Sequence, residues 1–208
     1  MDSPSNPLTH PITAQSFALI DREFGEHGLT PDQYAVVRRV IHSTADFEFK
    51  HLVRFSQTAI ESGIAALQQG APVIVDVGMV QQGVRNLLRQ TFDNPLLNCL
   101  EQVPAPAPEQ TRTEAGLLHW ATTYPQGIFV IGNAPTALLA LCQQLQAANV
   151  SPALVIGAPV GFVSVLEAKA ALSACSVPQI QVEGRKGGSP VAAAILNALI
   201  ILAWEREV

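Results

Sequence analysis

Gly127-Ile128-Phe129-Val130-Ile131-Gly132-Asn133-Ala134-Pro135-Thr136 is the stretch that decides the fold. It begins as a short β-rich run. Glycine, asparagine and proline then make a turn, and a helix-patterned segment comes next. The same plan recurs at Pro72-Val73-Ile74-Val75-Asp76, Pro152-Ala153-Leu154-Val155-Ile156 and Pro178-Gln179-Ile180-Gln181-Val182. Strands that alternate with helices must run parallel, because each helix carries the chain back along the sheet. The expectation is an α/β fold: a doubly wound, mainly parallel sheet with helices on both faces. Residues 1–208 read as a single domain, since no repeat or second unit is evident.

Upstream of the repeats, Ile12 to Phe24 has helical spacing and Gly25 to Gly28 ends it, after an irregular start over about residues 1–11. Thr30-Pro31-Asp32-Gln33 is a capping box with proline at the first helical position. It opens a second helix through Tyr34, Val37, Ile41 and Thr44. Phe47 to Phe55 alternates as an edge strand would, and Ser56 is placed to cap the helix after it. Asn94 to Arg112, with Pro104-Ala105-Pro106-Ala107-Pro108, is too rich in proline for a helix. It reads as a lid or binding loop.

Composition narrows the class. Of 208 residues, 48% are hydrophobic and 14% charged, which excludes a disordered chain. A net charge of -5 argues against nucleic-acid binding through a general basic field. Cys99, Cys142 and Cys175 are odd in number and lack C-x-x-C spacing, so a reducing cytoplasm fits better than a disulfide framework. The amino-terminal residues form no secretory signal. Val191 to Trp204 is the most apolar run, yet it is interrupted by Asn197 and falls short of the ~20 residues of a membrane span. It reads as a buried helix covered on several sides, by the sheet and its neighbours or by a partner subunit, and a homodimer is expected on that ground.

In a parallel sheet, ligands bind outside the carboxyl ends of the strands. The loops expected there are Asp76-Val77-Gly78-Met79, Gly132 to Thr136, Gly157-Ala158-Pro159-Val160-Gly161-Phe162 and Gly184-Arg185-Lys186-Gly187-Gly188-Ser189-Pro190. Asn133 is placed to cap the helix it precedes. Gly157 to Gly161 offers nearly bare backbone before Phe162, a flat apolar wall for a large planar ligand. In the last loop Ser189 and Pro190 read as N-cap and first helical residue. Free amides and the positive helix end then lie beside Arg185 and Lys186, a receptor for carboxylate or phosphate. The loop lacks P-loop order, and no G-x-G-x-x-G comes after a strand. Arg112, at a helix start, is a second anion clamp. His42, near the end of the second helix, is the candidate for chemistry. His10, His27, His42, His51 and His119 show no paired metal-ligand spacing, so no metal site is expected.

Taken in order, these segments resemble the precorrin-8X methylmutases, also known in their cobalt-precorrin-8 form. The resemblance runs from about Ile12 to the end. Its carriers are Ser16-Phe17, the octet Arg39 to Asp46, Asp76 to Val80, Thr111-Arg112, Gly132 to Leu138, Gly157 to Val163 and Gly184 to Ser189. It implies a cofactor-free isomerase that moves a methyl group between neighbouring carbons of a corrinoid ring, from ring carbon eleven to ring carbon twelve. It also implies a homodimer, with the family's catalytic histidine at His42.

Around the ring, Ser16, Thr44, Arg112 and Asn133 would contribute polar contacts, and Ala134, Val160, Gly161 and Phe162 apolar ones. Arg185, Lys186, Gly187, Gly188 and Ser189 would receive its carboxylates. His42 would be the general acid. Helix-end carbonyls and Asp46 favour its protonated form, while Arg38 and Arg39 oppose it; the expectation is an imidazolium in the complex. A carrier without catalysis would share the pocket but not the dependence on His42, and a nucleotide-dependent enzyme would use Gly184 to Ser189 as a phosphate cradle.

Overall fold

The computed structural model describes residues 10–207. In chain order the elements are α1 (Pro11–Phe24), α2 (Pro31–Thr44), α3 (Phe49–Leu52), β1 (Val53–Phe55), α4 (Ala59–Gln68), β2 (Val73–Val75), α5 (Gly78–Gln90) and β3 (Leu96–Asn98). Beyond these lie α6 (Arg112–Thr123), β4 (Ile128–Ile131), α7 (Pro135–Gln146), β5 (Leu154–Gly157), α8 (Val165–Ser173), β6 (Gln179–Val182) and α9 (Ser189–Glu205). One sheet is ordered β1-β6-β5-β4-β2-β3. Every pairing is parallel except that of β1 with β6.

The four runs singled out as strands are β2, β4, β5 and β6, each buried throughout. Their side chains divide by the two-residue period of a strand. Val73, Val75, Ile128, Val130, Leu154, Ile156, Ile180 and Val182 face the layer that holds α2, α4, α5 and α9. Ile74, Phe129, Ile131 and Val155 face the layer of α6, α7 and α8. The doubly wound architecture is therefore as the alternation predicts, and the capping box at Thr30 forms in full.

Four local expectations are corrected. The alternating run at Phe47 to Phe55 begins as the helical turn α3, and only its last three residues form the edge strand. Phe49 points into the core, so the aromatic spacing serves a helix before it serves a strand. Ser56 does not cap α4, whose N-cap is Thr58; its hydroxyl instead accepts from the backbone amide of Gln179 and so stitches β1 to β6. The Asn94 to Arg112 segment holds a strand, β3, because the backbone after Pro95 finds a partner in β2. Of the irregular start, residues 1–9 lie outside the described residues, and Pro11 already belongs to α1, capped by the His10 side chain.

Helix α9 is buried on nearly every side. Its cover comes from within the chain: α2, α4, α5 and strands β4 and β5. The approach of α5 is close enough that a Cβ on Gly83 would stand 2.8 Å from that of Ala193. The apolar character of α9 therefore needs no second subunit, and the argument for a homodimer drawn from it does not hold. No helix among the described residues is long and apolar enough to cross a membrane.

Candidate active site

The loops after β2, β4, β5 and β6 meet at one edge of the sheet. Asp76, at the end of β2, accepts the backbone amides of Gly132, Asn133 and Ala134 on a single oxygen, at 3.1, 2.6 and 2.8 Å. A Cβ on Gly132 would come within 2.9 Å of the Ser189 Cα, so the β4 and β6 loops are in contact as well. The amide of Gly188 donates to the Ala158 carbonyl at 2.8 Å, and that of Gly161 to the Arg185 carbonyl at 3.3 Å.

Asn133 is not the cap of α7. That position is Ala134, whose side chain cannot accept; the buried Asp76 carboxylate holds the turn that leads into α7, through the amides of Gly132, Asn133 and Ala134, from across the switch between β2 and β4. Asn133 contributes its backbone amide, and the residue is exposed on the rim.

The Gly184 to Ser189 loop owes its path to glycine. Gly187 has φ +151°, and a Cβ there would stand 2.3 Å from the Ala158 carbonyl oxygen. Gly188 is the N-cap of α9, with Ser189 as its first residue and Pro190 as its second, one position off the sequence expectation. Gly188 offers no side chain to cap the helix, so the first amides of α9 keep their donor capacity. Arg185 is exposed with its guanidinium over the Phe162 ring, 5.9 Å from the centroid, and has no ion pair among the described residues.

Lys186 differs. Its ammonium is 2.6 Å from Asp46 and 2.7 Å from Glu48, and these bonds hold its pKa above the ordinary lysine value while they hold Asp46 below the usual carboxylate range. In this state it is a strut to the turn after α2 more than a free cation. Sequence reasoning missed Lys169, whose buried Nζ reaches the carbonyls of Gly184 and Lys186 at 2.7 Å each. Burial lowers its pKa to about 8. The signal was present in the sequence: a lysine on the same helical face as Val165, Ala168 and Leu172.

His42 lies in the last turn of α2, exposed, with the Phe17 ring edge-on at 5.2 Å. Partial burial lowers its pKa, and the Arg39 charge lowers it further. Asp46, one turn on, gives its carboxylate to Lys186 and to the Glu48 amide, while Arg38 pairs with Asp21. Of the opposing influences on the ring, burial and Arg39 therefore dominate in the free protein, and the neutral imidazole is favoured. The hydroxyls of Ser16 and Thr44 bond back to the carbonyls of Ile12 and Val40 in their own helices.

Arg112 is the first residue of α6, whose N-cap Thr111 bonds the Glu114 amide and touches the Thr136 hydroxyl at 3.1 Å. This contact sets α6 beside the start of α7, so Arg112 stands at the same end of the sheet. Ala134 is buried, but Val160, Phe162 and Met79 are 44%, 87% and 70% exposed. Large apolar side chains left in water at the mouth of four loops mark a binding surface. A hollow of about 460 Å³ at the opposite end of the sheet, lined by Ala66, Pro72, Tyr124 and Ser151 among others, brings together little that could do chemistry. Among the described residues no group of His, Cys, Asp and Glu is arranged to hold a metal ion.

Comparison with known proteins agrees with this arrangement. The model of the precorrin-8X methylmutase family matches residues 11–202. A cobalt-precorrin-8 methylmutase of Synechocystis sp. is 52% identical, the alignment covering 95% of this chain and 98% of that protein. A precorrin-8X methylmutase of Pseudomonas aeruginosa is 42% identical over 94% of this chain and 95% of its own length. The crystal structure of the precorrin-8X methylmutase from Thermus thermophilus superposes with a TM-score of 0.87 at 45% identity, covering 96% of this chain and 100% of that one. A fold shared over nearly the whole length, with sequence identity this high, places the chain in the precorrin-8X methylmutase family, and it is accordingly an isomerase, an intramolecular transferase.

Proposed function

We propose that this enzyme acts in cobalamin biosynthesis by moving a methyl group from ring carbon eleven to ring carbon twelve of precorrin-8X or cobalt-precorrin-8, giving hydrogenobyrinate or cobyrinate. The bond to carbon eleven breaks as the bond to carbon twelve forms, while the double bonds of the ring rearrange. No atom is gained or lost, so neither a nucleophile nor a cofactor is required. A proton on a ring nitrogen biases the electrons toward product, and His42 lends that proton and takes it back.

The observation that carries this reading is the pair of bonds from Lys186 to Asp46 and Glu48. Through them the Gly184 to Ser189 loop is held against the turn that comes after His42, so a proton donor and a carboxylate-binding rim share one edge. Arg112 and Arg185 meet the acidic arms of the ring, together with the amides of Gly187, Gly188 and Ser189. Val160, Gly161, Phe162 and Ala134 lie against its flat face, and Ser16, Thr44 and Asn133 bond its polar edges. The enzyme works as a homodimer, as the family resemblance implies, in the reducing cytoplasm that its three unpaired cysteines favour.

An absorbance titration with hydrogenobyrinic and cobyrinic acids tests the reading directly. A stoichiometric spectral shift with either supports it, and the stronger of the two indicates whether the ring carries cobalt. Absence of a shift with both would overturn it.

A further inference from the structure

We propose that Lys169 is a positioning residue for the substrate's carboxylate arms, its buried ammonium pulling the carbonyls of Gly184 and Lys186 inward and so turning the amides of Arg185 and Gly187 outward as a receptor. The inference deepens the proposed role of the rim and rests on it.

A lysine usually threads its stem along apolar surface and leaves its head in water. Lys169 is only 4% exposed, and its head is satisfied by two backbone carbonyls at 2.7 Å. These belong to residues two apart in one short loop, which fixes the orientation of both peptide planes. In a trans peptide the carbonyl of one residue and the amide of the next point in opposite directions. With the Gly184 carbonyl drawn toward Lys169, the Arg185 amide is turned away from it; the Lys186 carbonyl does the same for the Gly187 amide. Neither of those amides has a hydrogen-bond partner among the described residues.

The remaining contacts of the loop are consistent with a held conformation. Gly188 donates to Ala158 and Gly161 to Arg185, so the β5 loop closes over the same bend. Two outward amides, two residues apart in one bend and beside an arginine, form a concavity suited to a carboxylate oxygen. A cation seated behind those peptides stiffens them and adds positive charge to the far side. Burial lowers the pKa of Lys169 to about 8, so at neutral pH it is still charged.

The test compares the parent with Lys169→Met, which keeps the buried stem but loses both bonds, and with Lys169→Arg, which keeps a cation. Amide hydrogen exchange at this loop is followed in the ligand-free proteins at the amides of Gly188 and Gly161, which are held by the Ala158 and Arg185 carbonyls, with affinity for hydrogenobyrinic acid, KM and kcat measured alongside. Lys169→Met is expected to exchange the loop faster and to weaken product binding and raise KM about tenfold, as the loss of bonds to a charged group predicts. Its kcat at saturation should stay within about threefold, and Lys169→Arg should recover part of the affinity.

Unchanged loop exchange and affinity in Lys169→Met would overturn the inference. So would faster exchange spread over the whole sheet, or a fall in kcat with no change in KM, since these mark a general structural role. Should Lys169→Met not fold, Lys169→Gln, whose uncharged amide sits on an arm one bond too short to reach both carbonyls, is put through the same comparison and read by the same outcomes. If the parent binds no ring product, the proposed role of the rim fails, whereas loop exchange still decides what Lys169 does.

Discussion

The Asp76 carboxylate lies 2.6 Å from the backbone nitrogen of Asn133 and, through two further bonds to the amides of Gly132 and Ala134, fastens the turn before α7 to the end of another strand. Its second oxygen is buried without a hydrogen-bond partner among the described residues, and burial pushes its pKa up against the pull of the amides. Asp76→Ala leaves buried donors unsatisfied and is expected to lower the unfolding free energy by about 3 kcal/mol or more. Asp76→Asn, whose amide oxygen still accepts, should cost less. Urea unfolding of the two variants checks the order.

Turnover should depend on His42 far more than binding does. A general acid contributes roughly 100- to 10,000-fold, so His42→Ala is expected to lose that much rate while its affinity for the ring product changes little. Single-turnover absorbance with substrate and equilibrium titration with product separate the two effects. Full activity in this variant would remove the histidine from the mechanism.

The direction of the His42 shift sets the pH profile. Partial burial and Arg39 lower its pKa from 6.5, so the proton needed for catalysis is lost as pH rises through a value below that. The falling limb of kcat/KM, which reports the free enzyme, is expected below pH 6.5. Acidic arms of the bound ring favour the imidazolium, so the limb of kcat should lie at higher pH. Coincident limbs, or a profile flat across the histidine range, would contradict this.

The cations on the rim should contribute unequally. Among the described residues Arg185 has no ion pair and Arg112 touches only the Leu100 carbonyl at 3.5 Å, whereas Lys186 is neutralised by Asp46 and Glu48. Arg112→Ala and Arg185→Ala are each expected to weaken product binding about tenfold. Lys186→Ala should act less on affinity and more on the order of the Gly184 to Ser189 loop. Titrations at low and moderate salt distinguish these effects, because exposed charges are screened.

Much of this arrangement is legible in the residue pattern, for identifiable reasons. Four apolar runs with turns behind them specify a parallel sheet, and a parallel sheet fixes the edge where its loops gather. Thr30 and Gln33 declare a helix start because both halves of that cap are local. Features that depend on distant partners are not legible. Asn133 looks like a cap until its amide is seen to be held by Asp76, a contact between residues 57 apart in the chain that leaves Ala134 as the N-cap. Lys186 looks like a free cation until the fold brings Asp46 to it across 140 residues. The strand at Leu96–Asn98 is hidden because its three residues carry no strand signal of their own and are ordered by pairing with β2.

The all-round burial of α9 also governs how the molecule fails when it opens. Of its seventeen residues twelve are buried, and most of that cover lasts while α2, α4 and α5 remain in place. Once heat displaces them, an apolar rod meets others of its kind faster than it finds its way back. Loss of this protein on warming should thus be one-way, with precipitation and a transition temperature that moves with scan rate. Its working lifetime is then set by how slowly the helix layer parts, a kinetic barrier and not an equilibrium.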